Sequence, residues 1–249
     1  MNPPLKRKFR FVTALIVVVL SAEIRADPTN PEQKQIEEVN LAPNSIPISS
    51  EERKLALLAE TSFTNGKLSQ SEELYKKALK AKPDNLSLLV SLAATEFRLG
   101  NSEESKQLLT KAIRLDLKSG PAWLLLGMIY LDQKNDEDAF AALAQAESCD
   151  PKNPRTRNYL GIAAGRMGWL EASEEELRKA AELDPTYASA QFNLAVLYLN
   201  RTPPLVELAR RHYQRALDLG YSKDPAIESQ LAKAVVIPSP AAASSASAH

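Results

Sequence analysis

A 34-residue period runs through the middle of this 249-residue chain and limits its fold more than any other feature. Stepping at that interval places units at residues 52, 86, 120, 154 and 188. One position of every unit is leucine: Leu58, Leu92, Leu126, Leu160 and Leu194. Alanine or glycine follows each leucine, and a second row of small residues comprises Ala78, Ala112, Ala146, Ala180 and Ala216. Such regular spacing over five copies indicates a repeat protein.

The third copy shows the pattern of each unit best. It contains Trp123-x-x-Leu126-Gly127-x-x-Tyr130, then Ala139-x-x-x-Leu143-x-x-Ala146, and closes at Pro151. This pattern resembles the tetratricopeptide repeat, a helix–turn–helix unit of about 34 residues. The resemblance implies an all-α solenoid of five helix hairpins over residues 52–219, wound into a right-handed superhelix.

The small and large rows have a physical reason. A helix hairpin cannot bury its apolar face alone, and stacked neighbours bury a continuous core. Small residues let two helices approach closely while the large residues fill the remaining space. Glycine falls at the predicted turn within a unit at Gly66, Gly100 and Gly168, and proline follows the second helix at Pro83, Pro151 and Pro185.

Five departures from the repeat put local geometry in question but leave the architecture intact. They are Leu117 at a closing proline position, Lys134 at a turn glycine position, Arg157 and Gln191 in the slot of Trp123, and a two-residue insertion at Pro203–Pro204. The insertion predicts a longer turn in the fifth unit, with its second helix starting near Pro204 or Leu205.

The segments flanking the repeats have distinct compositions. Residues 27–50 contain four prolines among polar residues and are interpreted as a linker. Residues 224–236 have Ile227, Leu231 and Val235 at helical spacing, which predicts a helix that caps the solenoid. Residues 237–249 are mostly proline, alanine and serine and are expected to be disordered.

Residues 1–26 have the pattern of an export signal. Four basic residues, at positions 6, 7, 8 and 10, precede an apolar stretch from Phe11 to Leu20, and small residues follow up to Ala26. The apolar stretch has the length of a signal-peptide core, whereas a membrane span needs about 20 residues. We therefore expect a periplasmic or secreted protein. The alternative is an uncleaved N-terminal anchor, which would be its only link to a membrane.

Composition argues against nucleic-acid binding and catalysis. Beyond residue 26 the chain carries 26 basic and 30 acidic side chains, which is not the basic footprint of a nucleic-acid binder. Cys149 is the only cysteine, expected in the core, and His212 and His249 are the only histidines. The acidic runs 136–138 and 174–176 are interpreted as solvated helix surface and as charge at a helix N-terminus, which favours acids in the first turn. The sequence thus offers no catalytic, metal or cofactor site.

The resemblance implies that first helices line a concave groove where partners dock. The residues expected to face it are Val90, Phe97, Leu124, Met128, Leu131, Arg155, Asn158, Ile162, Arg166, Phe192, Asn193 and Val196. The hypothesis is an apolar groove for a peptide or partner protein, with Arg155 and Arg166 as contacts for anionic groups. The alternative is that these side chains pack between adjacent helices or against the proline-rich arm.

The function expected from the sequence is a non-enzymatic protein–protein interaction scaffold. The export signal and the plain repeat array together resemble the exported bacterial type of the family, which implies a role in the periplasm or envelope. The alternative is an accessory subunit that regulates or localises an envelope enzyme.

Overall fold

The computed structural model describes residues 50–234, and these residues form eleven α-helices and no strand. The predicted export signal, most of the linker, the tail and Val235 lie outside the described residues. No helix in the described range is long and apolar enough to cross a membrane. The helices are α1 Ser50–Thr64, α2 Leu68–Ala81, α3 Leu86–Arg98, α4 Ser102–Leu115, α5 Gly120–Asp132, α6 Asp136–Cys149, α7 Pro154–Arg166, α8 Leu170–Leu183, α9 Ala188–Leu199, α10 Val206–Asp218 and α11 Pro225–Ala234.

The helices pair in chain order into five hairpins, α1–α2 to α9–α10. Each second helix packs on the first helix of the next hairpin, and neighbouring first helices also touch, so the core is continuous along the stack. The terminal helix α11 packs on α9 and α10, where Ile227 and Leu231 are buried. The chain is an all-α solenoid whose last hairpin is covered by an additional helix.

The opposite end of the stack differs from the sequence-based expectation. Leu58 belongs to the leucine row, yet it is 46% exposed, and its neighbour Leu57 is 63% exposed. The other four leucines of the row are buried. The difference arises because no earlier hairpin within the described range packs against α1.

Positive backbone φ angles end the first helices of four hairpins. Gly66, Gly100 and Gly168 have φ between 71° and 88°, and Lys134 takes the same left-handed conformation with φ 59°. Glycine suits this conformation because it lacks a Cβ atom, and a lysine has a steric cost there. The turn therefore keeps its shape in the third hairpin although its glycine is missing.

Arg157 replaces the tryptophan of the repeat without losing its hydrogen bond. The Trp123 indole Nε1 donates to the Leu117 carbonyl at 2.9 Å, and Arg157 Nε donates to the equivalent Pro151 carbonyl at 3.2 Å. The Arg157 guanidinium also pairs with Glu147 at 2.6 Å and with Glu176 at 2.7 Å. One arginine thus links α6, α7 and α8.

Residues 136–138 lie in the first turn of α6, as the interpretation as N-terminal charge predicts, but both acidic runs also pair across hairpins, which the sequence did not indicate. Besides the pairing of Glu176, Glu174 accepts hydrogen bonds from the Tyr198 hydroxyl at 3.0 Å and from Arg201 Nη2 at 2.6 Å. In the other run, Asp136 pairs with Arg166 at 2.7 Å. Glu174 and Asp136 therefore each connect one hairpin to the next.

Candidate functional site

The inward side of the first helices is the candidate site, and most of the side chains expected to line it are buried. Nine of the twelve residues proposed from sequence have little exposure: Val90, Leu124, Met128, Leu131, Asn158, Ile162, Phe192, Asn193 and Val196. Leu124, Met128 and Ile162 belong to one apolar cluster with Leu160 and residues of α6. Adjacent first helices therefore fill much of this side with each other's side chains.

Phe192 packs against the segment that connects α10 to α11. Its ring stacks on Tyr221, with centroids 4.3 Å apart and the planes within 17° of parallel. Tyr221 follows α10 and precedes α11, so this aromatic pair joins the fifth hairpin to the segment that leads into the terminal helix. Phe192 is 1% exposed, and its contacts here are within the chain.

Two asparagines on the inward side bind each other. Asn193 Nδ2 donates to Asn158 Oδ1 at 2.9 Å, and Asn158 Nδ2 donates to the Tyr187 hydroxyl at 3.4 Å. All three residues are buried, so the bonds offset the cost of removing their polar groups from water. This network joins α7 to α9, and Tyr187 is a member that the sequence did not indicate.

Arg166 is held inside the stack. Its side chain is 4% exposed, its Nε lies 2.7 Å from Asp136, and its Nη1 donates to the Leu131 carbonyl at 2.9 Å. Burial lowers the pKa of the guanidinium and raises the pKa of the Asp136 carboxyl, and in each case the partner's opposite charge works against the shift. Arg166 therefore joins the third and fourth hairpins, with little of its side chain left at the surface.

Arg98 joins the second hairpin to the first, as Arg166 joins the fourth to the third. Its Nη1 donates to the Phe63 carbonyl at 3.2 Å, and its guanidinium carbon lies 4.5 Å from the centroid of the Phe63 ring. Both arginines end a first helix and reach a carbonyl 35 residues earlier. The shared repeat position of Arg98 and Arg166 was the sequence signal for this contact.

Three of the proposed residues, Phe97, Arg155 and Arg166, are half-buried as whole residues, and the side chain of Arg166 is only 4% exposed. Phe97 lies in the last turn of α3, next to Arg98, and Arg155 lies in the first turn of α7. The Asn153 side chain, which caps α7, accepts a hydrogen bond from the Arg155 backbone nitrogen at 3.0 Å. We call Phe97, Arg98 and Arg155 the accessible inward residues: each is half-buried as a whole residue, and the Arg98 guanidinium also contacts Phe63.

Cys149 lies at an edge of the stack, and its expected place in the core is wrong. The thiol is half-buried, and Leu115 and Leu183, which hold the same repeat position, are more than 40% exposed. Burial is the main cause that raises the pKa of Cys149, and Asp116 adds to the rise. A raised pKa reduces the thiolate fraction and hence the reactivity of the sulfur.

Among residues 50–234, no group of three His, Cys, Asp or Glu side chains is placed to hold a metal ion.

A family model described as tetratricopeptide repeat matches residues 56–116, 90–154 and 160–225. These ranges cover most of the chain. The protein belongs to the tetratricopeptide repeat family. Members of this family bind protein partners, so the repeats indicate a protein–protein interaction scaffold.

Curated relatives match over short parts of their own length. A probable UDP-N-acetylglucosamine–peptide N-acetylglucosaminyltransferase, SPINDLY of Hordeum vulgare, is 29% identical over 54% of this chain and 15% of its own. The TPR repeat-containing thioredoxin TTL4 of Arabidopsis thaliana is 36% identical over 34% of this chain and 12% of its own. The chain thus spans less than a fifth of either protein.

Solved structures with the same fold cover most of the solenoid. TTC0263, a thermophilic TPR protein of Thermus thermophilus, is 21% identical with a TM-score of 0.61 and covers 75% of this chain and 100% of its own. PilF of Pseudomonas aeruginosa is 19% identical with a TM-score of 0.66 and covers 74% of this chain and 84% of its own. At these identities the likeness establishes the fold alone.

Proposed function

We propose that this protein is a non-enzymatic scaffold that binds a peptide or partner protein on the inward side of its first helices. The observation that carries the proposal is the contact between successive first helices, α3, α5, α7 and α9, which lie side by side along the stack. The buried apolar residues give the inward side its shape. The accessible inward residues supply an aromatic ring and cationic groups for direct contact, both of which are enriched at protein interfaces.

Charge on this surface favours a partner segment that carries acidic groups. Arg98 and Arg155 both lie there, and arginine binds carboxylates with two parallel hydrogen bonds. The partner would also need an apolar side chain to cover the exposed part of Phe97. An extended acidic segment with one large apolar residue meets both requirements.

Site-specific photocrosslinking in the native host tests this proposal. A photoreactive phenylalanine analogue is placed at position 97 or at position 155 of the full chain, and Glu104 on the exposed side of α4 provides the control position. We expect positions 97 and 155 to capture the same protein, and Arg155→Glu to abolish that capture at position 97. Capture of the same protein from position 104, or continued capture in the Arg155→Glu variant, would refute the proposal.

Substitutions of the buried inward side chains are unsuitable for this purpose. Leu124 and Met128 lie in the core, so aspartate at either position would place a charge among apolar side chains and threaten the fold. Position 97 and position 155 avoid that ambiguity because neither residue is fully buried.

We also propose that the protein is exported to the bacterial periplasm. The support is the basic cluster, the apolar stretch of signal-peptide length and the small residues that follow it in positions 1–26. Fractionation of the native host and mass spectrometry of the mature N-terminus test this. A cytoplasmic protein that still begins at Met1 would contradict export.

A second candidate function is an accessory subunit of an enzyme. It is supported by two relatives that are named as transferases, SPINDLY and TMTC3 of Homo sapiens, of which this chain covers 15% and 20%. If the partner captured at positions 97 and 155 is an enzyme, its turnover with and without this protein distinguishes a regulatory subunit from a passive scaffold.

A further inference from the structure

An apolar patch lies at the turns within the fourth and fifth hairpins, whereas Phe97 and Arg98 end the first helix of the second hairpin and Arg155 lies in the first turn of α7. Two of its members hold the position just before the second helix of a hairpin. This position is Lys67, Asn101 and Asn135 in the first three hairpins. In the fourth and fifth hairpins the position holds Trp169 and Leu205, and neither side chain can accept a hydrogen bond from the helix. The position is therefore polar in the first three hairpins and carries a large apolar side chain in the last two.

Trp169 is the centre of the patch. Its side chain is 46% exposed, and its ring meets Phe140 of α6 edge to face with centroids 5.0 Å apart. Leu205 is 39% exposed. The loop before it contains Arg201, whose Nη1 lies 3.4 Å from Glu171 in the first turn of α8. We call Phe140 and Trp169, which contact each other, and Leu205, which holds the position of Trp169 in the next hairpin, the turn-edge patch. Exposed apolar patches rimmed by polar residues often mark interaction sites.

Acidic side chains surround the turn-edge patch. Glu137 and Asp138 precede Phe140 and are exposed, and the Glu171 side chain is 85% exposed. A shallow groove of about 460 Å³ continues along α8, lined by Glu171, Glu174, Glu175, Arg178, Lys179 and Glu182. Four acids and two bases line it, and Arg201, which pairs with Glu171 and Glu174, leaves an excess of one negative charge. The charge around the patch is thus opposite in sign to that of the accessible inward residues.

We propose that the turn-edge patch is a second docking surface and that it binds a protein segment in which a large apolar side chain is flanked by lysine or arginine. The apolar side chain packs on the exposed part of Trp169, where an aromatic residue can act as an anchor of the interface. The flanking cations lie against Glu171 and the acidic groove, which steers the segment to the patch. An anionic lipid surface is repelled by the same acids. One surface that favours acidic segments and another that favours basic segments would let one chain bind two different partners.

Fluorescence anisotropy with a synthetic probe tests this inference on the full chain. The probe is a fluorescein-labelled peptide with phenylalanine and leucine flanked by lysines, and the control peptide has glutamate in place of each lysine. We expect the lysine peptide to bind and the glutamate peptide not to bind. We expect Trp169→Ala to weaken binding about tenfold and Glu171→Lys about fivefold.

Glu104→Lys is the matched control, since Glu104 is an exposed acid in the first turn of another second helix, α4. It should leave the affinity of the lysine peptide within about twofold, because a screened charge acts weakly beyond about 10 Å. Circular dichroism verifies the fold of each variant. If Trp169→Ala does not fold, the proposal is tested by comparing the peptide affinities of Glu171→Lys and Glu104→Lys, since both positions are exposed.

Three results of the peptide experiments would overturn the proposal. They are equal weakening by Glu104→Lys and Glu171→Lys, unchanged affinity in a folded Trp169→Ala variant, and failure of the lysine peptide to bind. Binding of phosphatidylserine vesicles that Trp169→Ala abolishes would replace the protein partner by a membrane and would refute the proposal as well.

Discussion

Replacement of Gly127 by alanine tests the close helix approach on which the third hairpin depends. A Cβ atom at this position would lie 2.5 Å from Cγ and 2.8 Å from Cδ2 of Leu143. Leu143 is fully buried, so it has no free space to move into. Overpacking costs about 1–3 kcal/mol, whereas alanine is better than glycine in a helix interior by about 1 kcal/mol. The balance is a net loss of about 1 kcal/mol in the free energy of unfolding.

Thermal and urea unfolding followed by far-UV circular dichroism measures this loss, which corresponds to a fall in Tm of about 2–4 °C. The decisive control is the same change in a Leu143→Ala background. There the obstructing side chain is gone, so Gly127→Ala should stabilise the protein by about 1 kcal/mol. The sign of the effect reverses between the two backgrounds.

The second hairpin offers a natural counterpart. Ala93 holds the position of Gly127, and Leu109 holds that of Leu143, so this pair of helices already accommodates a methyl group. Ala93→Gly should therefore destabilise the protein by about 1 kcal/mol. Stabilisation of the otherwise unchanged protein by Gly127→Ala, or the same effect in both backgrounds, would refute the argument from close packing.

The remaining predictions concern one ion pair, one histidine and one turn. Arg166→Leu leaves the Asp136 carboxyl without its partner inside the stack and should cost about 2–3 kcal/mol by urea unfolding; an equal loss in an Asp136→Asn background would contradict a direct pairing. Burial is the main cause that lowers the pKa of His212, followed by nearby arginines, so the unfolded chain binds the proton more tightly. Stability should therefore fall as pH drops below about 6.5, and His212→Gln should reduce that slope. Lys134→Gly removes a side chain from a residue with φ 59° and should raise the free energy of unfolding by about 1 kcal/mol; a lower Tm in that variant would show that the lysine is not strained.

Much of the fold could be predicted from the sequence because the repeat is a local signal. The first helices of the second to fifth hairpins begin at Leu86, Gly120, Pro154 and Ala188, the positions at which the 34-residue period places the units. Asn85 and Asn153 cap two of these helices with their side chains. Such features depend on residues within one hairpin or at its border, and the hairpin repeats.

The candidate site was harder to predict because exposure depends on neighbours. The sequence identifies which side chains of the first helices share a repeat position, and Leu124 and Ile162 are examples of residues it places on the inward side. It does not indicate how closely adjacent first helices approach, and that distance buries both residues in one cluster. The same limit applies to Asn158 and Asn193, which were proposed as partner contacts and bind each other.

The sequence by itself determined the architecture, since small and large residues at a fixed period allow helix hairpins to stack and bury a common core. Only the tertiary structure decided which charged and aromatic side chains are enclosed between hairpins. Arg166 and Arg155 look equivalent as inward arginines, yet the Arg166 side chain is 4% exposed and pairs with Asp136 of the preceding hairpin, whereas Arg155 lies in the first turn of α7, beside the Asn153 cap. The physical reason is that a side chain's exposure is set by the hairpin stacked against it, and the sequence of one hairpin does not contain that neighbour.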